Sequence, residues 1–250
     1  MPANLHFAKR FVSRVLCNRA TGHVVGMIWP QRIPSIRGGR YAIRKTGFSP
    51  FQKASLLFGT FEGSEWTAVS RYLRTDLDTL ELGAGIGCIS CAIARMLEPS
   101  RHLVAVEPDL EGVALTRENL QHNAPNANAI VINAMVNYST EISISPFGSF
   151  KATEAERAVI PSVKLRDLVA QHFKGDYQLV MDIEGSELGL ILNDRAALSS
   201  CRLIIAEFHS STADGRLYHD YDMIQVLADY GFTKCRRMGT GANFVISRGQ

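Results

Sequence analysis

The sequence predicts an α/β fold: a mostly parallel sheet covered by helices on both faces, with a small N-terminal extension and a C-terminal antiparallel hairpin. Three observations predict it. From Thr67 onward, short apolar strands alternate with segments of helical period. A glycine-rich turn joins the first of those strands to a helix. The 250 residues are 46% hydrophobic and 20% charged, which suits one large core and excludes collagen-like, coiled-coil and disordered chains. No apolar run in the chain approaches the roughly 20 residues of a membrane-spanning helix.

The elements follow in order. Leu5, Ala8, Phe11, Val12, Val15 and Leu16 recur at helical spacing among Lys9, Arg10, Arg14 and Arg19. This reads as an amphipathic helix that docks on the body or on a partner. Its charges interrupt the apolar stretch that a secretory signal needs; an organellar leader would share the pattern. Residues 23–29 read as a strand, Pro30, Pro34 and Gly38-Gly39 break the chain, and residues 41–45 read as a second short strand. Residues 1–60 are therefore expected to be an extension packed on a domain of residues 61–250. Within that domain, residues 67–73 read as a helix and 79–82 as a buried strand, followed by the glycine turn and a helix. Residues 102–107 read as a strand, 109–123 as a helix with Asp109 as N-cap, and 128–133 as a third strand. Residues 134–163 interrupt the rhythm, with a solvent-facing strand expected at 141–145. A helix at 165–171, a strand at 177–182, a helix at 186–198 and a strand at 202–208 resume it. The polar stretch 210–218 reads as a long loop, 221–230 as a helix, and 232–237 with 243–247 as the terminal hairpin. Sheets of this kind bind ligands beyond the carboxyl ends of their strands.

The net charge of +3 conceals an asymmetry. No Asp or Glu precedes Glu62, and residues 1–61 carry ten Lys/Arg; the remainder carries 17 Lys/Arg against 24 Asp/Glu. A basic arm of this kind serves an anionic substrate, a membrane surface or nucleic acid, or it lies over the acidic body. The five cysteines are odd in number and irregular in spacing, which fits a reducing, cytoplasmic compartment. Cys88-Ile89-Ser90-Cys91 has the C-x-x-C spacing, but no second Cys/His pair completes a zinc tetrahedron. A redox pair or two small packed residues both satisfy the pattern.

Glu81-x-Gly83-Ala84-Gly85-x-Gly87 leaves the first core strand and opens a helix. Glycine permits positive φ and lets a ligand lie against the backbone. A dinucleotide fingerprint would place glycine at position 88, which is Cys88. An acid two positions before the first glycine suits a ligand with a cationic amino-acid portion, such as S-adenosylmethionine. Glu107, 20 residues past Gly87 at the end of the next strand, is placed to accept hydrogen bonds from both ribose hydroxyls. Asn133-Ala134 closes the third strand, where a polar side chain meets an adenine edge or simply serves a turn.

With these pieces in hand, the chain resembles a class I S-adenosylmethionine-dependent methyltransferase, and more narrowly the FkbM family. The resemblance covers roughly residues 58–246. It rests on 81-ELGAGIG-87, Val106-Glu107-Pro108, 160-IPSVKLRDL-168, 181-MDIEGSE-187 and Glu207-Phe208-His209, with Thr60-Phe61-Glu62 upstream. The chain departs from the family at Gly85, Val180 and Arg166, where Asn, Lys and Asp are common. The resemblance implies a Rossmann-like fold and S-adenosylmethionine as methyl donor. It assigns Glu62, Glu81, Gly83, Ala84, Gly85, Gly87, Glu107, Pro108, Asn133, Ala134 and Asp182 to the cofactor. It implies a hydroxyl acceptor on a small molecule, sugar or glycolipid.

A hydroxyl must lose its proton as it is methylated, which calls for a base or a metal. Asp182, Glu184, Glu207 and His209 stand at two strand ends as i, i+2 pairs, expected to share a side. One reading makes His209 or a carboxylate the base. Another places a divalent cation, Mg²⁺ or Mn²⁺, among them. A third leaves Glu187 and Asp182 as caps of the following helix and His209 as a buried hydrogen-bonding residue. Other classes of function are a module that binds S-adenosylmethionine without turnover, and a methyltransferase of protein or nucleic acid recruited by the basic arm. No RNA-reading motif or aromatic–basic interleave accompanies that arm.

Overall fold

The computed structural model describes residues 15–43, 47–138, 160–239 and 241–249. The chain opens with α1 (Arg19–Ile28), β1 (Arg32–Pro34), β2 (Arg40–Ala42), α2 (Pro50–Leu57) and α3 (Gly63–Tyr72). The alternating body follows as β3 (Asp78–Leu82), α4 (Cys88–Met96), β4 (His102–Glu107), α5 (Leu110–Asn123) and β5 (Asn128–Asn133). Short β6 (Met135–Val136) and β7 (Ser162–Val163) pair with each other before α6 (Leu165–His172) and β8 (Tyr177–Met181). The rest is α7 (Glu187–Asn193), α8 (Arg195–Leu198), β9 (Cys201–Glu207), β10 (Ser211–Ala213), β11 (Arg216–Tyr218), α9 (Asp220–Asp229), β12 (Lys234–Met238) and β13 (Asn243–Ser247).

Seven strands form the central sheet in the order β12-β13-β9-β8-β3-β4-β5. All pairs from β9 to β5 are parallel, and β13 is antiparallel to both its neighbours. The order reverses between β3 and β8, which makes their carboxyl ends the crevice where such sheets take ligands. Side chains alternate between two apolar layers. Leu80, Leu82, Val104, Val106, Leu179 and Met181 pack under α6–α9. Leu103, Ala105, Val131, Val180 and Ile205 pack under α3–α5. On this second face β3 contributes Thr79 and Glu81, a polar interruption in an apolar layer. Ile33, Tyr41, Ala42 and Leu56 join the same cluster, and Asn119 accepts the Ala42 N–H at 2.7 Å. Among the described residues no helix is long and apolar enough to cross a membrane.

The structure corrects several expectations. Residues 23–28 are helical, not a strand. The Asn18 side chain caps the Thr21 N–H at 2.9 Å, and Gly22 and Gly26 give α1 a flat face for α2. The β-branched run there has strand propensity, but packing decides. Helix α2 was not foreseen, although Ser49 and Gln52 form a capping box around Pro50. The helix expected over 186–198 breaks at Asp194, whose buried carboxylate accepts the Arg166 N–H at 3.0 Å and pairs with the Arg166 guanidinium. Turned to the start of α6, Asp194 separates α7 from α8. The 210–218 loop carries the β10–β11 hairpin, turned by Asp214 and Gly215 at φ 50° and 74°. The strand expected at 141–145 and most of the first helix lie outside the described residues.

Gly22 fixes how closely α1 and α2 approach: a Cβ there would lie 1.6 Å from the Pro50 carbonyl oxygen. Gly22→Ala is therefore expected to lower unfolding stability by about 1–3 kcal/mol, the range for overpacking. Denaturant titration checks this. Gly175→Ala is the control, since its Cβ would meet open space.

Candidate functional site

The turn after β3 is set by backbone conformations that glycine tolerates. Gly83, Gly85 and Gly87 have φ of 89°, 56° and 80°. A Cβ on Gly83 would lie 1.9 Å from the Asp182 carbonyl oxygen, so the turns after β3 and β8 meet with no room for a side chain. Neighbours brace the turn: Thr116 Oγ1 donates to the Gly85 carbonyl at 3.0 Å and Asn119 Nδ2 to that of Ile86 at 2.8 Å. Both lie on α5, held close by Gly112, where a Cβ would be 2.8 Å from the Gly85 carbonyl oxygen. These three were not among the residues singled out from the sequence; their polar atoms serve the backbone rather than a motif.

Glu107 closes the loop from the side. One of its oxygens accepts the Gly85 N–H at 2.7 Å and the other the Asp109 N–H at 2.9 Å. Each oxygen keeps a lone pair for a further donor. Asn133 donates its side-chain amide to the Glu107 and Pro108 carbonyls at 3.1 and 2.8 Å, which holds the β4–α5 turn. Ala134 is buried, its N–H on the Glu107 carbonyl.

Around this turn the carboxyl groups converge. Burial first, then Glu81, Asp182 and Glu107, pushes Glu62 up to about 8. Burial raises Glu81 and Glu107 to about 7 each. Burial and Glu207 raise Asp182 to about 7. Glu65, which the sequence did not single out, is raised by burial and by Glu62, one turn before it on α3. Glu62, Glu65, Glu81 and Glu107 form no ion pair with Lys or Arg among the described residues. Glu62 Oε2, Glu81 Oε2 and Asp182 Oδ1 are buried with no hydrogen-bond partner. Unpaired buried carboxylates are costly, so this group of acids fits a ligand that brings positive charge and hydrogen-bond donors. S-adenosylmethionine brings a sulfonium, an ammonium and two ribose hydroxyls.

A second group adjoins it. His209 lies 3.2 Å from Glu187 Oε1 and 4.0 Å from Asp182 Oδ1 through Nδ1, and 3.5 Å from Glu184 Oε2 through Nε2. The i, i+2 argument does not describe this: Asp182 and Glu184 lie beyond the end of β8, Glu184 at φ 52°. The turn, not the strand, carries them to His209. Glu207, at the end of β9, instead accepts the Asn243 amide at 2.8 Å. The centre of the group is Glu187. It is fully buried and accepts the N–H groups of Ile183 and Gly185 at 3.1 and 2.9 Å. The sequence displayed it in the 181–187 segment without marking it as central. The hydrogen bond to Glu187, then the charges of Glu187, Asp182 and Glu184, raise His209 to about 9. Ligand atoms of Asp182, Glu187 and His209 lie within 4.8 Å of one another, close enough to meet at one cation. Cys88 and Cys91 are buried in α4, and burial pushes the Cys91 thiol up to about 12, which leaves both as packed residues rather than reactive thiols.

A family model, the Methyltransferase FkbM domain, matches residues 81–234. The chain belongs to the FkbM methyltransferase family. It is an S-adenosylmethionine-dependent methyltransferase with a Rossmann-like fold, and the cluster of acids around the glycine turn fits that donor. Among solved structures the chain is similar to the N-terminal domain of EvdMO1 with SAH bound, at 14% identity over 75% of this chain and 81% of that one, TM-score 0.43. It is similar to a ribosomal protein L11 methylase of Lactobacillus delbrueckii subsp. bulgaricus, at 15% identity over 77% and 81%, TM-score 0.45. It is also similar to precorrin-6y C5,15-methyltransferase of Geobacter metallireducens GS-15, at 14% identity over 77% and 92%, TM-score 0.42. No curated protein matches the chain.

Since the folded-state value of His209 lies above the ordinary 6.5, its contribution to stability is complete below about pH 6.5 and is lost as pH rises through about 9. Glu187→Gln removes the carboxylate that leads this shift. The imidazole resonance of His209 is then expected to titrate nearer 6.5 than 9 by NMR.

Proposed function

We propose that the chain transfers the methyl group to a hydroxyl oxygen of a small or glycosylated acceptor, with Asp182 as the base. The observation that carries this reading is the state of Asp182. Its Oδ1 accepts no hydrogen bond, it sits just past β8 between the donor-side acids and His209, whose Nδ1 is 4.0 Å away, and its value of about 7 leaves it part-ionised at neutral pH. A carboxylate in that state accepts a proton in the range where enzymes work. His209, held at about 9, already carries its proton at neutral pH and cannot take another. Its role is to hold positive charge beside Asp182 and Glu184 and to keep the turn after β8 in place through Glu187.

The division of labour follows from position. Glu62, Glu81, Glu107 and the glycine turn hold the donor, with Pro108, Asn133 and Ala134 shaping the adenosine side. When bound, S-adenosylmethionine supplies an electrophilic methyl group on a sulfonium. Asp182 takes the hydroxyl proton of the acceptor as the oxygen gains the methyl group, and Glu184 and Glu207 line the acceptor side. Fixing the two reactants in line supplies much of the acceleration. The β10–β11 hairpin borders this side: Ser211 Oγ donates to the Gly185 carbonyl at 2.9 Å. Residues 61–250 form the methyltransferase domain in this reading and residues 1–60 an extension, whose described part packs on α4 and α5 through the shared apolar cluster. All five cysteines are free, which supports a reducing, cytoplasmic setting.

Asp182→Asn is expected to reduce kcat by about 10²–10⁴ while donor affinity changes far less. At low donor concentration, kcat/KM of the unaltered chain should rise with pH through about 7, the value of Asp182 in the free protein. An Asp182→Asn variant with full turnover would remove the base from this account. Turnover lost to a chelator and restored by Mg²⁺ or Mn²⁺ would instead assign a cation to Asp182, Glu187 and His209.

A further inference from the structure

Helix α1 turns two unlike faces outward and inward. Gly22 and Val25 are buried against α2 and the core. Val24, Met27 and Ile28, at i, i+3 and i+4, stand on the opposite side and are 49%, 73% and 58% exposed. Phe51 on α2 adds a half-exposed ring. Cations stand along the same helix pair. Arg19 begins the helix. Lys53 reaches along it, its Nζ 3.3 Å from where a Cβ on Gly26 would stand. Past the helix end, Ile28 and Arg40 line one cleft of about 350 Å³. Arg19, Lys53 and Arg40 form no ion pair among the described residues. No Asp or Glu precedes Glu62, and the sequence just upstream adds Lys9, Arg10 and Arg14.

We propose that this surface seats the protein on an anionic lipid bilayer. The pattern is that of an interfacial helix, with apolar side chains to enter the acyl boundary and cations to meet lipid phosphates. Charge argues against a second copy as the occupant. A two-fold contact would bring both copies' Arg19, Lys53 and Arg40 into one interface, to which residues 19–53 contribute no Asp or Glu. A bilayer of anionic headgroups satisfies the apolar stripe and the cations together.

Vesicle flotation with the full chain tests this. The protein is expected to float with equimolar phosphatidylcholine–phosphatidylglycerol vesicles, less so as salt rises, and not with phosphatidylcholine alone. The double variant Met27→Glu, Ile28→Glu should weaken that association at least about tenfold, with S-adenosylmethionine affinity unchanged as the check on folding. Absence of flotation, equal binding to neutral vesicles, or full binding by the double variant would each overturn the proposal. So would a dimer in sedimentation that the double variant dissociates, because the apolar face would then belong to a second copy.

Discussion

Carboxyl groups packed at the ligand edge of the sheet without a matching cation are the constraint on which this structure turns. Glu62, Glu81 and Asp182 each keep a buried oxygen without a partner. Glu65 and Glu107 are raised along with them. Desolvation and mutual repulsion both push these groups toward the neutral form. A fold keeps such an arrangement only where something repays it, and a bound cation does so directly. The uncompensated negative charge at this edge therefore fits a ligand that brings positive charge and hydrogen-bond donors.

The rest of the fold exists to hold that edge in register. Parallel pairing of β3 with β4 and β8 brings three strand ends side by side. Gly83 lets the turns after β3 and β8 touch, and Gly112 lets α5 press its hydroxyl and amide onto the glycine turn. Glu187 performs the corresponding task after β8, tying two backbone N–H groups and the His209 imidazolium to one carboxylate. In the proposed mechanism the donor side and the acceptor side meet at Asp182, whose backbone N–H continues the β3 ladder onto the Leu82 carbonyl at 3.0 Å.

The parallel body was legible because its inner strands are buried on both faces and its punctuation is strong. His102–Glu107 and Asn128–Asn133 match the structure residue for residue. The extension was not, because helix α1 is built from β-branched residues and a pair of glycines whose purpose is visible only with α2 in place. Asp194 escaped for a similar reason: a helix breaks there to serve another helix, and nothing local announces it. At the site, the glycine turn and the acids that follow the strands could be read from spacing. The convergence of Glu65 with Glu62, and the central place of Glu187, could not, since both depend on turns that bring distant backbone together. The protonation states could not be read either. From the sequence His209 could serve as a base; three carboxylates surround it and raise it to about 9, so that it keeps its proton at neutral pH.

The most direct test of the charge argument is calorimetric titration of the protein with S-adenosylmethionine and with its demethylated, uncharged-sulfur product, across pH and in buffers of different ionisation enthalpy. Carboxyl groups held at about 7 to 8 must ionise as positive charge enters, so binding of the methylated form should release protons near neutral pH. Its affinity should rise through about pH 8, and the product, lacking the sulfonium, should show a smaller rise. Equal affinities for the two, unchanged with pH and without proton release, would contradict the account.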